Sequence, residues 1–211
     1  MHFKRLIVTI TCISICSCIF ADGKHKPQAV LNHGKWYAGA ALGATNFWNK
    51  ASTNSTSHSE STVGAIGGLF VGYQYDFSNR LDLGGEIFGN LTSANTADNR
   101  FNPKYKSKLR YNYGIRLLPG YQLNNKLNLH ASIGYVRASI KNQQGVYSNT
   151  TNPVGYQLGL GASYNLYEHL IIRGDILYSN YANKSFNLGS SKFKSNTNEL
   201  DGVLSLAVLY E

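Results

Sequence analysis

Residues 110–138 read RYNYGIRLLPGYQLNNKLNLHASIGYVRA, and two alternating stretches in this segment decide the fold. In the first stretch, Tyr, Ile and Leu occupy one set of alternate positions, whereas Asn, Gly, Arg and Gln occupy the other. After the polar link 124–126 the alternation resumes, with Leu, Ala, Ile and Tyr set against Asn, His, Ser and Gly. A repeat of two residues is the period of a β-strand, so the segment predicts an antiparallel hairpin.

The same alternation predicts strands along the rest of the chain. The predicted strands are about 36–46, 64–77, 81–91, 110–123, 127–138, 154–166, 170–178 and 201–210. Their connections alternate in length. The short ones are 78–80, 124–126 and 167–169, and the long ones, rich in Asn, Ser, Thr and Lys, are 47–62, 92–109, 139–153 and 180–198. Alternating short and long links are typical of an up-and-down barrel.

The polarity of the two faces indicates what surrounds the sheet. In a water-soluble barrel or sandwich, which is the alternative interpretation, the apolar face would fill the interior. Here the bulkier face is continuously Leu, Ile, Val and Tyr, whereas the smaller face includes Glu86, Arg116 and Asp175. Outward-facing bulky apolar side chains need lipid, where only a closed barrel satisfies every backbone hydrogen bond. The sequence therefore predicts an all-β fold, an eight-stranded antiparallel up-and-down transmembrane β-barrel of the bacterial outer membrane.

Composition agrees with a β-protein. The chain has 211 residues, of which 43% are hydrophobic, 12% aromatic and only 15% charged, with 21 Gly and 15 Tyr. Gly is a poor helix former and Tyr favours strands. The formal net charge of +9 could indicate nucleic acid, but the pattern contains no basic helical face. We therefore expect no nucleic-acid partner and favour an anionic surface.

The N-terminus has the composition of a secretory signal peptide. Lys4 and Arg5 precede the apolar run 6–20, and the small residue Ala21 is followed by polar residues. The run is shorter than the roughly 20 apolar residues that a membrane-spanning helix needs. We expect cleavage after Ala21, and lipoprotein processing at Cys18 is the alternative.

The leader also decides the cysteine chemistry. All three cysteines, at 12, 16 and 18, lie within it, so the mature protein is expected to form no disulfide and no zinc site built on Cys. We expect no periplasmic domain after the last strand. The predicted organisation is a signal peptide at 1–21, a short periplasmic N-terminal segment at 22–35 and an outer-membrane barrel domain at 36–211.

Over residues 36–210 the chain resembles the OmpA-type and opacity-type family of eight-stranded outer-membrane barrels. The resemblance is carried by WYAGAALG at 36–43, GYQ at 72–74, GGE at 84–86, RGD at 173–175 and LSLAV at 204–208. Two features depart from the family. Pro119 interrupts a strand, where we expect a bulge, and Glu211 follows the terminal aromatic residue that such barrels present for assembly.

The resemblance implies a salt-bridge network that plugs the lumen. Its members would be Glu86, Arg116, Arg173 and Asp175, which share the inward parity of their strands. Charges buried without partners would cost several kcal/mol each, so we expect them to pair. A gated ion path is the functional alternative, although an eight-stranded interior is barely wide enough for side chains.

His130 and Ser132 raise a second alternative. Alternate residues of a strand point to the same side, so a base and a nucleophile would lie on one face, as in outer-membrane lipid A deacylases. However, their parity places both in the lumen, and no Glu follows nearby on the same strand, where position 140 is Ile140. We interpret them as polar lumen fillers and expect no catalytic residue, metal or cofactor.

The long links carry many cations and few acids. The candidates for binding an anionic partner are Arg100, Lys104, Lys106, Lys108, Lys192 and Lys194. Solvated loop charge without a ligand is the simpler interpretation. We predict a monomeric barrel with a structural or surface-adhesion role, whose partners are outer-membrane lipids, lipopolysaccharide and anionic host or matrix surfaces. A lipid A-modifying enzyme and a narrow ion channel remain the alternatives.

Overall fold

The computed structural model describes residues 34–52, 57–77, 79–98, 105–188 and 191–210, which form strands joined by turns. The strands are β1 (Gly34–Ser52), β2 (Ser57–Asp76), β3 (Leu81–Thr92), β4 (Asn95–Asp98), β5 (Tyr105–Gln122), β6 (Leu127–Gln144), β7 (Tyr147–Thr151), β8 (Val154–Tyr167), β9 (Leu170–Leu188) and β10 (Ser191–Tyr210). Within these ranges no helix is long and apolar enough to cross a membrane.

The strands close into a barrel in which every pairing is antiparallel. The sheet runs β4-β5-β3-β2-β1-β10-β9-β8-β6-β7, and an additional β5–β6 pairing closes the ring. The short β4 pairs with β5 beyond the end of β3, and the short β7 pairs with β6 beyond the end of β8. Ten strands less these two extensions leave eight in the barrel wall. The predicted eight-stranded up-and-down barrel is confirmed.

The two faces of the wall have the polarity of a membrane barrel. Side chains on the outward face are exposed and apolar, such as Leu42 (74% exposed), Leu69 (70%) and Leu160 (70%). On the inward face, Glu86 (3% exposed) and Arg116 (7%) are buried. Each large apolar side chain moved from water into lipid contributes about 1.5 to 3 kcal/mol, so the outward face is stable only within a bilayer.

The segments predicted as long loops are largely strand, which corrects the sequence interpretation. Residues 47–62 are mostly the ends of β1 and β2, and their pairing continues to Ser52 opposite Ser57. Likewise, 139–153 contains the end of β6, a turn at 145–146 and β7. Backbone pairing needs no apolar alternation, so strands that leave the lipid continue as polar hairpins. Strands β5 and β6 form one long hairpin whose turn lies at 123–126. We call its opposite end, residues 105–110 of β5 and 138–144 of β6, the outer hairpin.

The predicted bulge at Pro119 is also wrong. Pro119 stays in register with Leu83 of β3. On the β6 side Leu118 and Pro119 lack partners, but the register is the same before and after them. Proline removes a donor without adding a residue, so the ladder loses contacts but does not shift. The bulge of β5 instead lies between Leu109 and Tyr111.

A closed barrel of this kind predicts heat-modifiable migration. Folded protein that is not boiled should run differently on a denaturing gel from boiled protein, because a closed hydrogen-bonded barrel resists unfolding by detergent. The chain should sediment with the outer membrane and leave it only in detergent. Recovery in the soluble periplasmic fraction would contradict the membrane assignment.

Candidate functional site

Four charged side chains meet inside the barrel, on β3, β5 and β9. We call Glu86, Arg116, Arg173 and Asp175 the charge layer. Glu86 lies directly opposite Arg116 in the β3–β5 register. The Arg116 Nε donates to Glu86 Oε1 over 2.6 Å, and Arg116 Nη2 contacts the same oxygen. The two residues are buried, so the ion pair is shielded from screening by water.

Arg173 links both carboxylates of the charge layer. Its Nη1 lies 2.8 Å from Glu86 Oε2, and its Nε lies 2.9 Å from Asp175 Oδ2. Glu86 therefore joins two arginines on opposite sides of the lumen. The structure brings together all four residues that the sequence placed on the inward face, and their formal charges sum to zero.

Two further side chains extend the charge layer, and neither was assigned to it from the sequence. His130 Nε2 lies 2.7 Å from Asp175 Oδ1, and the Tyr37 hydroxyl donates to Glu86 Oε2 over 3.2 Å. Strand parity places both side chains inward, which is the signal that could have suggested them. Parity alone does not reveal which inward residues of distant strands meet.

Aromatic rings support the two arginines. The Arg116 guanidinium carbon lies 5.0 Å from the centre of the Phe88 ring, and that of Arg173 lies 4.5 Å from the Phe70 ring. Both distances fall within the range of cation–π attraction, which is stronger where water is excluded. The rings also restrict the rotamers of the arginines, so the ion pairs have a fixed geometry.

A second polar layer contains Glu199 and Asp201, which we call the acid pair. Glu199 accepts hydrogen bonds from Tyr181 (2.6 Å), from Thr45 (3.2 Å) and, at both oxygens, from the Asn112 amide (3.2 and 3.1 Å). Asp201 is the first residue of the last predicted strand. Glu199 was missed because it precedes the alternation that defined the last predicted strand.

Apolar side chains close the lumen towards the outer hairpin. Phe47, Leu109 and Val136 are completely buried, and Ile140 is 1% exposed. They belong to a larger packed cluster of buried apolar residues, and we call the outer part formed by Phe47, Leu109, Val136 and Ile140 the apolar plug. Phe47 pairs with Glu199, whereas Leu109 pairs with Ile140 further along the hairpin. The apolar plug therefore extends from the level of the acid pair into the outer hairpin.

The side chains of His130 and Ser132 are not hydrogen-bonded to each other. The His130 Nε2 contacts Asp175, and the buried Ser132 hydroxyl has no hydrogen-bond partner. Nucleophilic catalysis needs the base within hydrogen-bond reach of the hydroxyl. Among the described residues, no group of three or more His, Cys, Asp or Glu side chains has the arrangement of a metal site.

Cations lie on the outward face of the outer hairpin. Lys106 and Lys108 of β5 are exposed, and Lys108 stands directly opposite the exposed Lys141 of β6. Of the other predicted cationic residues, Arg100 and Lys104 lie outside the described residues. For Lys192 and Lys194 the structure describes only the backbone, within β10. The structure thus brings Lys106 and Lys108 together with Lys141.

The bulge between Leu109 and Tyr111 sets this orientation. After the bulge, in the part of β5 that lines the centre of the lumen, the even-numbered residues such as Asn112 and Arg116 are buried. On the outer side of the bulge the odd-numbered Leu109 is buried and the even-numbered Lys108 is exposed. An extra residue in one strand reverses which face its alternate side chains occupy. The bulge therefore turns the lysines outward.

Solved structures of several outer-membrane proteins are similar to this chain. Ail of Yersinia pestis, in complex with the heparin analogue sucrose octasulfate, shares 12% sequence identity at a TM-score of 0.40, over 80% of this chain and 99% of that chain. Neisserial surface protein A shares 13% at 0.44, over 80% and 96%. The outer membrane protease OmpT of Escherichia coli shares 10% at 0.49, over 88% and 100%.

The family comparison covers most of the sequence. No curated protein matches the chain. The family described as outer membrane protein beta-barrel domain matches residues 23–208, which include every strand of the barrel wall except the last two residues of β10. The chain therefore belongs to the outer membrane protein β-barrel family and is a protein of the bacterial outer membrane.

Proposed function

We propose that this barrel is a non-enzymatic surface protein that attaches to anionic polymers through its outer hairpin. The proposal rests on one observation, the direct pairing of exposed Lys108 with exposed Lys141. Like charges directly opposite each other destabilise a β-sheet. A phosphate or sulfate bound between the two ammonium groups would relieve this repulsion, because it offers oxygen acceptors to both.

Neighbouring cations enlarge the surface. Lys106 lies two residues from Lys108 on the same face, and Arg110 and Arg137 are also exposed. Together with Lys108 and Lys141 they form what we call the cationic face. Several cations on a rigid hairpin suit a polymer with repeated anionic groups, since each additional contact is made at little further entropic cost. The expected ligands are lipopolysaccharide of the same outer leaflet and anionic glycans of a host or matrix surface.

The lumen serves stability rather than transport in this proposal. The charge layer neutralises itself across the barrel, and the apolar plug fills the outer end. An eight-stranded interior leaves room for side chains and little else. The proposed role of the lumen is therefore to hold the strands that carry the outer hairpin, and a narrow channel is the less favoured alternative.

Charge reversal tests the attachment role. We expect the triple substitution Lys106→Glu, Lys108→Glu and Lys141→Glu to weaken binding of whole cells to heparin-coated beads and to purified lipopolysaccharide. Each lysine near an anionic surface contributes about 1 kcal/mol, so the loss should reach about 100-fold in affinity. Binding should also fall with added salt.

The control for this experiment is Lys126→Glu, an exposed lysine in the short turn at the opposite end of the barrel. That variant should bind as the unaltered protein does. Equal loss of binding in the control and the triple variant would contradict a role for the cationic face. Loss of binding to only one of the two probes would identify which anionic polymer the face recognises.

Removal of Arg173 tests the lumen. Arg173→Ala breaks the contacts to Glu86 and Asp175 and leaves buried carboxylates without their shared partner. Breaking a buried pair costs about 3 to 5 kcal/mol, so the temperature at which the gel mobility changes should fall. The exposed Arg137→Ala is the matched control and should change the free energy of unfolding by less than about 1 kcal/mol. In planar bilayers the unaltered protein should open rarely; frequent large openings would favour the channel instead.

Substitution of His130 and Ser132 tests the absence of catalysis. We expect His130→Ala and Ser132→Ala to leave the acyl composition of lipid A unchanged in mass spectra of extracted lipid, because the hydroxyl has no base within reach. The comparison must be made at equal amounts of folded barrel, since His130 also contacts Asp175. A change of acylation in either variant would establish the enzymatic alternative.

A further inference from the structure

The wall of the barrel is interrupted along two lines at its outer end. The pairing of β2 with β3 ends at Ile66 opposite Thr92, and the pairing of β8 with β9 ends at Gly155 opposite Tyr181. The chain continues outward as β4 and β7, but among the described strands β4 pairs only with β5 and β7 only with β6. We call the two unpaired lines, between β2 and β4 and between β7 and β9, the seams.

The seams divide the outer end of the barrel into two sheets of four strands. One consists of the outer parts of β2, β1, β10 and β9, in which pairing continues as far as Ser52 opposite Ser57. The other consists of β4 and β7 with the outer parts of β5 and β6, in which Gln144 pairs with both Tyr105 and Tyr147. We call them the β1 sheet and the β5 sheet. Each seam separates an edge of one sheet from an edge of the other.

The first seam begins where the chain changes its pairing partner. The Ser93 N–H donates to the Ala65 carbonyl over 2.9 Å, whereas the carbonyl of the next residue, Ala94, accepts from the Leu109 N–H over 3.1 Å. The chain therefore leaves β2 for β5 within two residues, beside the bulge between Leu109 and Tyr111. A bulge increases the local twist of a strand and often terminates pairing. The bulge thus accounts for the loss of pairing between β4 and β2.

A proline begins the second seam. Pro153 lies between β7 and β8, and its carbonyl accepts from the Ala138 N–H of β6 over 3.0 Å. Proline has no N–H to donate to β9 on its other side. The register of β9 with β10 also shifts between Ser195 and Thr197, beside Tyr181, the last residue of β9 before the seam. Each seam is therefore bordered by a strand irregularity.

Buried polar side chains strengthen each sheet separately. In the β1 sheet, the Ser195 hydroxyl donates to the Asn49 amide oxygen over 2.6 Å. In the β5 sheet, the Ser107 hydroxyl donates to Asn142 over 3.0 Å, and the Asn142 amide donates to Thr151 over 3.2 Å. All three bonds join neighbouring strands of one sheet, and none of the three crosses a seam. They therefore make each sheet more rigid without attaching it to the other.

The apolar plug lies between the two sheets. Phe47 belongs to the β1 sheet, whereas Leu109 and Ile140 belong to the β5 sheet, and all three are buried in the same cluster. Apolar attraction is not directional, so these surfaces can separate and close again without a change in the hydrogen bonds of either sheet. Below the seams the backbone pairing is continuous around the ring, which prevents the same movement there.

We propose that the outer end of the barrel opens along the two seams, with the β1 sheet and the β5 sheet moving apart as rigid bodies. The hinges would be the strand interruptions at 93–94 and 152–153, and the packing of the apolar plug would hold the closed state. Domain closure about a few hinge residues is a common form of conformational change. Opening would expose the lumen down to the acid pair, whereas the charge layer below the seams would remain closed. The movement would thus create a blind chamber and not a passage through the membrane.

Thiol labelling tests whether the plug becomes accessible. All cysteines of the sequence lie in the leader, so the mature chain has none to interfere. Ile140→Cys places a thiol in the plug, and the matched control Leu177→Cys places one at a buried apolar position of β9 below the seams. In folded protein in lipid nanodiscs, a hydrophilic maleimide should label Ile140→Cys at least about tenfold faster than Leu177→Cys, because only the first site is exposed by the proposed opening.

Distances between spin labels test whether the sheets move as rigid bodies. Labels at Lys50→Cys and Gln143→Cys report on exposed positions of the β1 sheet and the β5 sheet. The control pair, Tyr73→Cys with Tyr164→Cys, lies on the exposed face of β2 and β8 below the seams. The first pair should give a closed and a longer distance, and the control pair only one. Phe47→Ala should increase the population at the longer distance about tenfold or more, since it removes packing from the closed state.

Four results would overturn the proposal. Folded Ile140→Cys that is not labelled would show that the plug stays closed, and equal labelling of Leu177→Cys would show that the whole lumen is accessible. A single distance for the first label pair, with and without Phe47→Ala, would exclude the movement. A broad continuous distribution would indicate separate fraying of the hairpins instead of two rigid bodies. Gel mobility before boiling reports whether each variant is folded, and if Phe47→Ala is not, the labelling rates decide.

Discussion

Every backbone N–H and C=O group in lipid must be hydrogen-bonded within the protein, and the rest of this structure depends on that constraint. The pairing of β5 with β6 closes the sheet into a ring. Closure then gives the sheet one face that meets lipid and one face that lines the lumen. Large apolar side chains must point to lipid, so polar and charged side chains can only point into a narrow lumen, where each needs a partner.

The lumen satisfies this requirement in layers of different chemistry. In the charge layer, carboxylates and guanidinium groups satisfy each other, with Glu86 contacted by Arg116, Arg173 and Tyr37. Towards the outer hairpin, Glu199 accepts hydrogen bonds only from the neutral donors Tyr181, Thr45 and Asn112 among the bonds described. The apolar plug follows. A buried ion pair gains Coulomb energy only when its geometry is good, which explains why aromatic rings hold the arginines in place.

The sequence predicted the parity of the strands and therefore the fold and the inward position of the charge layer. It did not predict that His130 meets Asp175 or that Tyr37 meets Glu86, because contacts across a lumen depend on how far the strands are staggered at closure. It also mistook the polar hairpin ends for loops, since alternation disappears where neither face meets lipid. The bulge was expected at Pro119, but a bulge requires an extra residue in one strand. The extra residue lies between Leu109 and Tyr111, which pair with the adjacent residues Ile140 and Ser139, and only the strand pairing shows this.

That bulge connects the lumen to the surface. On a regular strand, Lys106 and Lys108 would share the inward parity of Arg116, and their ammonium groups would enter the lumen. The apolar plug offers no carboxylate to receive them, so each buried charge would cost several kcal/mol. One inserted residue instead places Leu109 in the plug and the two lysines outside. The same local irregularity therefore completes the apolar closure of the barrel and creates the outward cationic face.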